Sequence, residues 1–400
     1  MAALLVLIVS ALIGVLHLFA LDPANSPAYR PIVAMALAGL LLVLSRYEWG
    51  DFPRRRLLIM YLWFGFSTMS LTSAVLNDNE LVPEVWQLLG VPLVIFTAFP
   101  QLAKERAVKV VLLGVFLGFL PYLIVSVSKY PLLYPYKGVL DNPNALGMIS
   151  VTMAAAVLAW LRGVMAEQRA LWSSVLYKMI LIGILVILGG LILASNSRTS
   201  FLTGMILYGV FFLSLFAEAK RYRTWIVFSA VLVAGVAVSL PLAVGYVDAQ
   251  NGGLLGSLLS KFANKAADDD VLSGRNEVWQ MILRHIEVFG IGTTAMDEFG
   301  VNPHNTYMWM LGSKGPIALV FFAAAQWAAL VAAIKYAWRN IKADGYALGP
   351  ILILLNYMVM GMAEAIVSTL GDGIQMSFML MIGALLYQKK SGTVAMDEQT

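Results

Sequence analysis

Twelve apolar runs separated by short polar breaks constrain this chain more than any other feature. Their approximate cores are 3–20, 31–45, 57–76, 81–99, 107–128, 145–161, 178–194, 200–216, 224–247, 306–334, 348–367 and 374–388. Apolar stretches of about 17–25 residues match a helix crossing a bilayer, where backbone N–H and C=O groups must be satisfied within the segment. The second and last runs are short, and the fourth carries Glu84. With 60% hydrophobic and only 12% charged residues, the composition exceeds what a soluble core can bury. The expected fold is all-α and polytopic, with about twelve transmembrane helices. The run from Leu4 to Ala20 has no basic segment before it and no small-residue cleavage site after it. It is therefore expected to stay as a first helix rather than be removed as a signal peptide.

Orientation follows from Lys and Arg in alternate connections. One side holds Arg46 with Arg54, Arg55 and Arg56; Lys104, Arg106 and Lys109; Arg162, Arg169 and Lys178; Lys220, Arg221 and Arg223; Lys335, Arg339 and Lys342; and Lys389 with Lys390. That set contains eighteen of the 27 basic residues, and it marks the cytoplasmic side. The opposite set is Arg30, Lys129, Lys137, Arg198, Lys261, Lys265, Arg275 and Arg284, and Lys314 falls inside the tenth run. Both termini are then expected in the cytoplasm, with the long 248–303 connection on the outer face.

This divides the chain into nine helices over 1–247, an outer loop over 248–303, three helices over 304–388 and a cytoplasmic tail over 389–400. Within the loop, "LLGSLLSKFANK" (254–265) places Leu254, Leu255, Leu258, Leu259 and Phe262 on one helical face. That face suits either a helix on the membrane surface or one packed on the spans. "SGRNEVWQMILRHIEVFGIG" (273–292) predicts a second helix, with Ser273 as N-cap, Val278, Ile282 and Ile286 in register, and Gly290 as stop. The chain shows no fixed-period repeat and no inverted pair of broken spans.

Outer-face arginines need a reason beyond orientation. Arg198 lies in "SNSRTSFL", a tight turn between the seventh and eighth runs, and Arg275 lies in the first turn of the loop helix. A helix N-terminus already carries free N–H groups and positive charge, so an arginine there fits best when an anion such as phosphate joins it. The planar guanidinium matches phosphate oxygens in pairs. The other reading pairs each arginine with an acid such as Asp268, Asp269 or Asp270, or sets it among lipid headgroups.

His304, one of three histidines, sits in "NPHNTYMWM" just before the tenth run. Pro303 fixes its approach and forces Asn302 to be extended, so the imidazole is expected to start the helix. A helix N-terminus and nearby arginines disfavour the protonated ring, and a neutral imidazole can act as a general base. The plainer reading is an interfacial cap or headgroup contact. His17 lies inside an apolar run, and His285 on the far part of the loop helix.

Zero cysteines exclude disulfides, Cys-ligated zinc and thiol nucleophiles together. Acidic groups at "ADDDV" (267–271), Asp78 with Glu80, and Asp141 could hold a divalent cation, but none shows a spacing that demands one. No nucleophile-elbow motif supports a serine hydrolase.

In its motifs and their order the chain resembles the O-antigen ligases of Gram-negative bacteria, a group that includes O-antigen polymerases and protein O-oligosaccharyltransferases. "RTSFL" fits the family's Arg-x-x-x-Leu at Arg198 and Leu202. "HNTYMWMLGSKGPIA" fits His-Asn, nine residues, then Gly at His304, Asn305 and Gly315, while Ala318 departs from the usual Gly, Thr or Tyr. "GRNEVW" supplies Arg275, and "GVLDNPNALG" (138–147) resembles the group's Asn-Pro-Asn stretch.

The resemblance implies a GT-C-like glycosyltransferase of the bacterial inner membrane, with its active site facing the periplasm. Its donor would be a glycan on undecaprenyl diphosphate and its acceptor a sugar of the lipid A-core. It implies no nucleotide, metal or other cofactor, and no nucleic-acid partner beside the membrane lipids. His304 would be the base and Arg198 with Arg275 the diphosphate ligands. Lys137, Asn142, Asn144 and Asn305 would complete the substrate contacts. The rivals are a polymerase of the same group, a lipid-linked glycan flippase and a non-catalytic assembly scaffold. A flippase would carry ionisable groups at mid-membrane; such groups are few here, with Glu84, Lys314 and Glu364 near the ends of their runs.

Overall fold

The computed structural model describes residues 1–21, 29–45, 57–167, 171–216, 275–298, 302–367 and 372–387. The ninth run, the 254–265 stretch, Ser273, Asp268 to Asp270 and the tail lie outside the described residues. The described chain is helical, with one isolated antiparallel bridge between Leu21 and Leu140. Seven of its helical segments are long and apolar enough to cross a membrane.

The helices are α1 (Ala2–His17), α2 (Arg30–Leu44), α3 (Leu57–Leu76), α4 (Val82–Val85), α5 (Phe99–Ala103) and α6 (Ala107–Lys129). A wide π-type helix, Trp86–Ala98, joins α4 to α5 around Pro92. Then follow α7 (Pro143–Ala166), α8 (Leu171–Ala194), α9 (Arg198–Phe216), α10 (Arg275–Arg284) and α11 (Thr293–Glu298). The last are α12 (Thr306–Asn340), α13 (Gly349–Gly361) and α14 (Gly373–Leu386). Helix α7 is buried over most of its length, with α6, α8, α9 and α13 around it. Tyr61 and Phe64 on α3, Ile187 on α8 and Trp327 and Trp338 on α12 are exposed. Water would penalise such faces, whereas lipid is their natural solvent.

Two elements end earlier than the sequence pattern predicts. Helix α10 stops at Arg284, where the expected helix runs to Gly290. Beyond it the chain turns into a junction with α12, and Ile286 is exposed. Helix α13 stops at Gly361, although apolar residues continue to Val367, and residues 362–367 fold back across the start of α12.

The junction forms because α12 is broken. Pro316 has no N–H to offer the Gly312 carbonyl four residues before it, and Gly315 adopts φ 86°, ψ 169°. The freed Gly312 carbonyl accepts from the Ile291 N–H at 2.9 Å. The Ser313 carbonyl accepts from Gly292 N–H at 3.2 Å and from the Ser73 hydroxyl at 2.9 Å. A Cβ on Gly315 would collide with the Val288 carbonyl, so glycine is required there both by backbone angle and by space. Asn77 and Asn79 hold the same turn, through the Gly290 carbonyl and through Thr294. Beside the break, Lys314 Nζ meets Glu84 Oε1 at 2.5 Å, and Ser70 donates to Glu84 Oε2 at 2.6 Å. Glu84 and Lys314, both inside apolar runs, thus neutralise each other, as charges removed from water must.

Candidate active site

Three consecutive residues at the entrance to α12 grip the 362–366 turn. Asn305 is the N-cap: its Oδ1 accepts from Tyr307 and Met308 N–H, and its Nδ2 donates to the Met362 carbonyl at 2.8 Å. The Thr306 hydroxyl donates to the Glu364 carbonyl and accepts from the Ile366 N–H, each at 2.9 Å. His304 Nδ1 lies 3.1 Å from Glu364 Oε2. The other carboxylate oxygen, Oε1, accepts from Asn144 Nδ2 at 3.0 Å. An Asn144–Glu364–His304 chain therefore links the start of α7, the turn after α13 and the start of α12.

His304 is not the first residue of the helix, as Pro303 suggested. It stands two residues ahead of Thr306 with φ 44°, a left-handed conformation that L-residues seldom adopt. Its backbone N–H donates to Asn302 Oδ1 at 2.8 Å. The helix N–H groups are taken by Asn305, so the ring faces a carboxylate rather than a helix end. Glu364 is mostly buried while the imidazole is about half exposed, its side chain 13% against 44% accessible. That leaves Nε2 for a substrate. Backbone strain held at a polar cluster is a frequent mark of a functional site.

The other predicted residues gather round this chain to different degrees. Arg198 opens α9 after the left-handed Asn196, and Ser197 accepts from Ser200 N–H to start the helix. The hydroxyls of Ser195 and Ser200 and the Cβ of Ser197 crowd Gly147, one turn beyond Asn144, and the Tyr136 N–H donates to the Ala194 carbonyl. The Arg198 turn is thereby held against the first turns of α7 and the loop carrying Lys137. Lys137 Nζ donates to the Asp141 carbonyl at 3.4 Å. Arg275 begins α10, and one turn later Trp279 Nε1 donates to the Pro303 carbonyl at 2.9 Å, next to His304. Arg275 makes no ion pair with a described residue.

Asn142 and Asn305, expected as substrate contacts, are both helix N-caps in the structure. Asn142 caps α7 through Oδ1 to the Ala145 N–H and donates to Asp141 Oδ1. Both of its polar ends, like both of Asn305, are committed to backbone or neighbour. Asn144 reaches Glu364. The remaining histidines lie elsewhere: His285 Nδ1 bonds its own helix at Met281, and His17 is buried among Phe119 and Tyr122.

Glu364 is the candidate residue that the sequence reading did not place in the site. Its signal was a lone carboxylate in an apolar run, a feature that in a membrane usually marks a site. Nothing in the spacing tied it to His304, sixty residues earlier.

Helices of membrane-crossing length, with a histidine–carboxylate pair and two arginine-bearing helix starts at one end, define a polytopic membrane protein with an enzyme-like site. Residues 183–323, less than half of the chain, match the family model described as O-antigen ligase, so that segment is similar to the O-antigen ligases. The segment contains Arg198, Arg275, His304, Asn305 and the Gly315 break, while Asn144 and Glu364 lie outside it. No curated protein matches the chain.

Proposed function

We propose that this protein is an O-antigen ligase of the inner membrane. It transfers polysaccharide from undecaprenyl diphosphate to a sugar of the lipid A-core on the periplasmic side. The observation that carries the reading is the contact of Glu364 with His304 Nδ1. Glu364 keeps the ring proton on Nδ1, so Nε2 is the lone pair presented to the acceptor hydroxyl. As the acceptor oxygen attacks the anomeric carbon, its proton passes to Nε2. The carbon–oxygen bond to the diphosphate breaks, and configuration inverts. Glu364 stabilises the imidazolium that results. Charge growing on the leaving diphosphate falls to Arg198 and Arg275, the electrostatic task a cation performs in other transferases.

The basic-residue bias supports the orientation, with both termini cytoplasmic and the 304–306 entrance outside. At the α12 break Lys314 and Glu84 are paired with each other, so neither charge stands alone there. Purified protein given undecaprenyl-diphosphate glycan and lipid A-core, without nucleotide or metal, tests the reading directly. Glycosylated lipid A-core is the expected product. A lengthened lipid-linked glycan would assign a polymerase of the same group instead, and no transfer to either acceptor would overturn the proposal.

A further inference from the structure

A second polar site lies at the opposite end of the helices. A cavity of about 710 Å³ opens between the first turn of α1, the residue after α2, the α5–α6 connection and the residue after α14. Helix α6 starts on this cavity and ends at Lys129, where the chain enters the loop carrying Lys137. Its 23 residues span about 35 Å, so the cavity and the His304 site face opposite membrane surfaces.

The lining is divided by chemistry. Leu5, Leu102 and Val110 make an apolar floor. Ser45 and Tyr387 contribute hydroxyl groups from the two flanking helix ends. Lys104 and Arg106 stand on the rim, exposed, and neither forms an ion pair with a described residue. Glu105 shares the rim, which leaves it with one net positive charge. Lys104 has φ 50°, the turn that separates α5 from α6 and sets both cations beside one opening.

We propose that this cavity seats the headgroup of an anionic phospholipid, its phosphodiester between Lys104 and Arg106 and its polar end toward Ser45 and Tyr387. Basic pockets between helix ends at a membrane surface are suited to such headgroups. A free inorganic anion would satisfy the two cations but leave the Leu5–Leu102–Val110 floor facing water. A lipid covers that floor with its own glycerol and upper acyl carbons. The site is independent of the transfer reaction and does not rest on it.

Full-length protein in nanodiscs of zwitterionic phosphatidylcholine, doped with photoactivatable phosphatidylglycerol, provides the test by peptide mapping of the label. Label is expected on residues 101–110, competed by unlabelled phosphatidylglycerol but not by phosphatidylcholine or inorganic phosphate. Each cation near a membrane surface contributes about fivefold in affinity, so Lys104→Ala with Arg106→Ala should cut labelling about thirtyfold. Ser45→Trp keeps both cations and places a bulky ring where the polar end of the headgroup would sit, and it should also reduce the specific label sharply. Unchanged labelling in the double variant overturns the proposal. Competition by inorganic phosphate shows an anion site that is not a lipid site, and overturns it as well. Loss with the cation variant but not with Ser45→Trp reduces the effect to diffuse surface charge and also overturns it.

Discussion

Replacing Glu364 by Gln removes a charge, but its larger effect is on the direction of two hydrogen bonds. Asn144 Nδ2 can only donate, and it points at Oε1 from 3.0 Å. In the Gln variant the side-chain carbonyl is therefore held toward Asn144, and the amide NH₂ turns to His304 Nδ1. Nδ1 must then accept, which moves the ring proton to Nε2 and removes the lone pair needed for the acceptor hydroxyl. Loss of a positioned base typically costs 10²–10⁴ in rate, and a wrong tautomer in a serine-protease triad costs about 10⁴. The expected fall in turnover for Glu364→Gln is thus about 10²–10⁴, or about 3–5.5 kcal/mol in barrier. Donor affinity should stay near wild type because the arginines are untouched.

The same geometry predicts a reversal of sign in the double variant. With Asn144→Ala added, nothing holds the Gln carbonyl away from the ring, so the amide can rotate and accept from Nδ1–H. Asn144→Ala should slow the wild type yet raise the turnover of Glu364→Gln by about tenfold, a coupling well above additivity error. Turnover and donor binding are measured separately on purified wild type, both single variants and the double. A Glu364→Gln enzyme within about threefold of wild type, below the scale of general-base loss, would refute the base assignment for His304. A strictly additive double variant would refute the Asn144 account.

Arg198→Lys and Arg275→Lys keep charge but lose the planar fork, so each should retain partial activity, while either Arg→Ala should come close to abolishing it and weaken donor binding. Activity should survive EDTA, and joint replacement of Asp268, Asp269 and Asp270 by Asn should be tolerated; activity lost to chelator and restored by magnesium or manganese would assign the charge-offsetting role to a metal. Gly315→Ala should lower stability by about 1–3 kcal/mol through backbone strain, with additional loss from the Val288 contact, read as thermal unfolding and as protease sensitivity of the 285–298 segment. Burial holds the Asp344 carboxyl above its usual range, only partly offset by its bond from the Tyr346 N–H and by Lys109. A raised carboxyl favours the fold most below its unfolded value and loses that contribution as pH climbs through the raised one. Asp344→Asn keeps the acceptor for Tyr346 and should match or exceed wild-type thermal stability at neutral pH, with the advantage vanishing in acid.

Helix content and membrane insertion were legible in the residues because both depend on local composition. An apolar run must satisfy its own backbone in lipid, whatever it packs against, so the sequence alone implied an all-α membrane protein. Asn305 and Gly315 were legible only as members of a motif; that Asn305 caps α12 and that Gly315 and Pro316 break it was not read from the sequence. The helix break at Gly315 matters because freed carbonyls of α12 receive the 290–292 turn, and that partner lies more than twenty residues away. Asn142 and Asn305 were expected as substrate contacts from the resemblance alone, and their capping of α7 and α12 emerges only in the structure. The pairing of Glu364 with His304, and of Asn144 with Glu364, depends on three helix ends meeting at one face. No periodicity encodes such a meeting, because it is set by how α7, α12 and α13 pack. The lost final turns of α13 show the same limit: the composition favours helix through Val367, and the hydrogen bonds from Asn305 and Thr306 draw that segment into a turn instead.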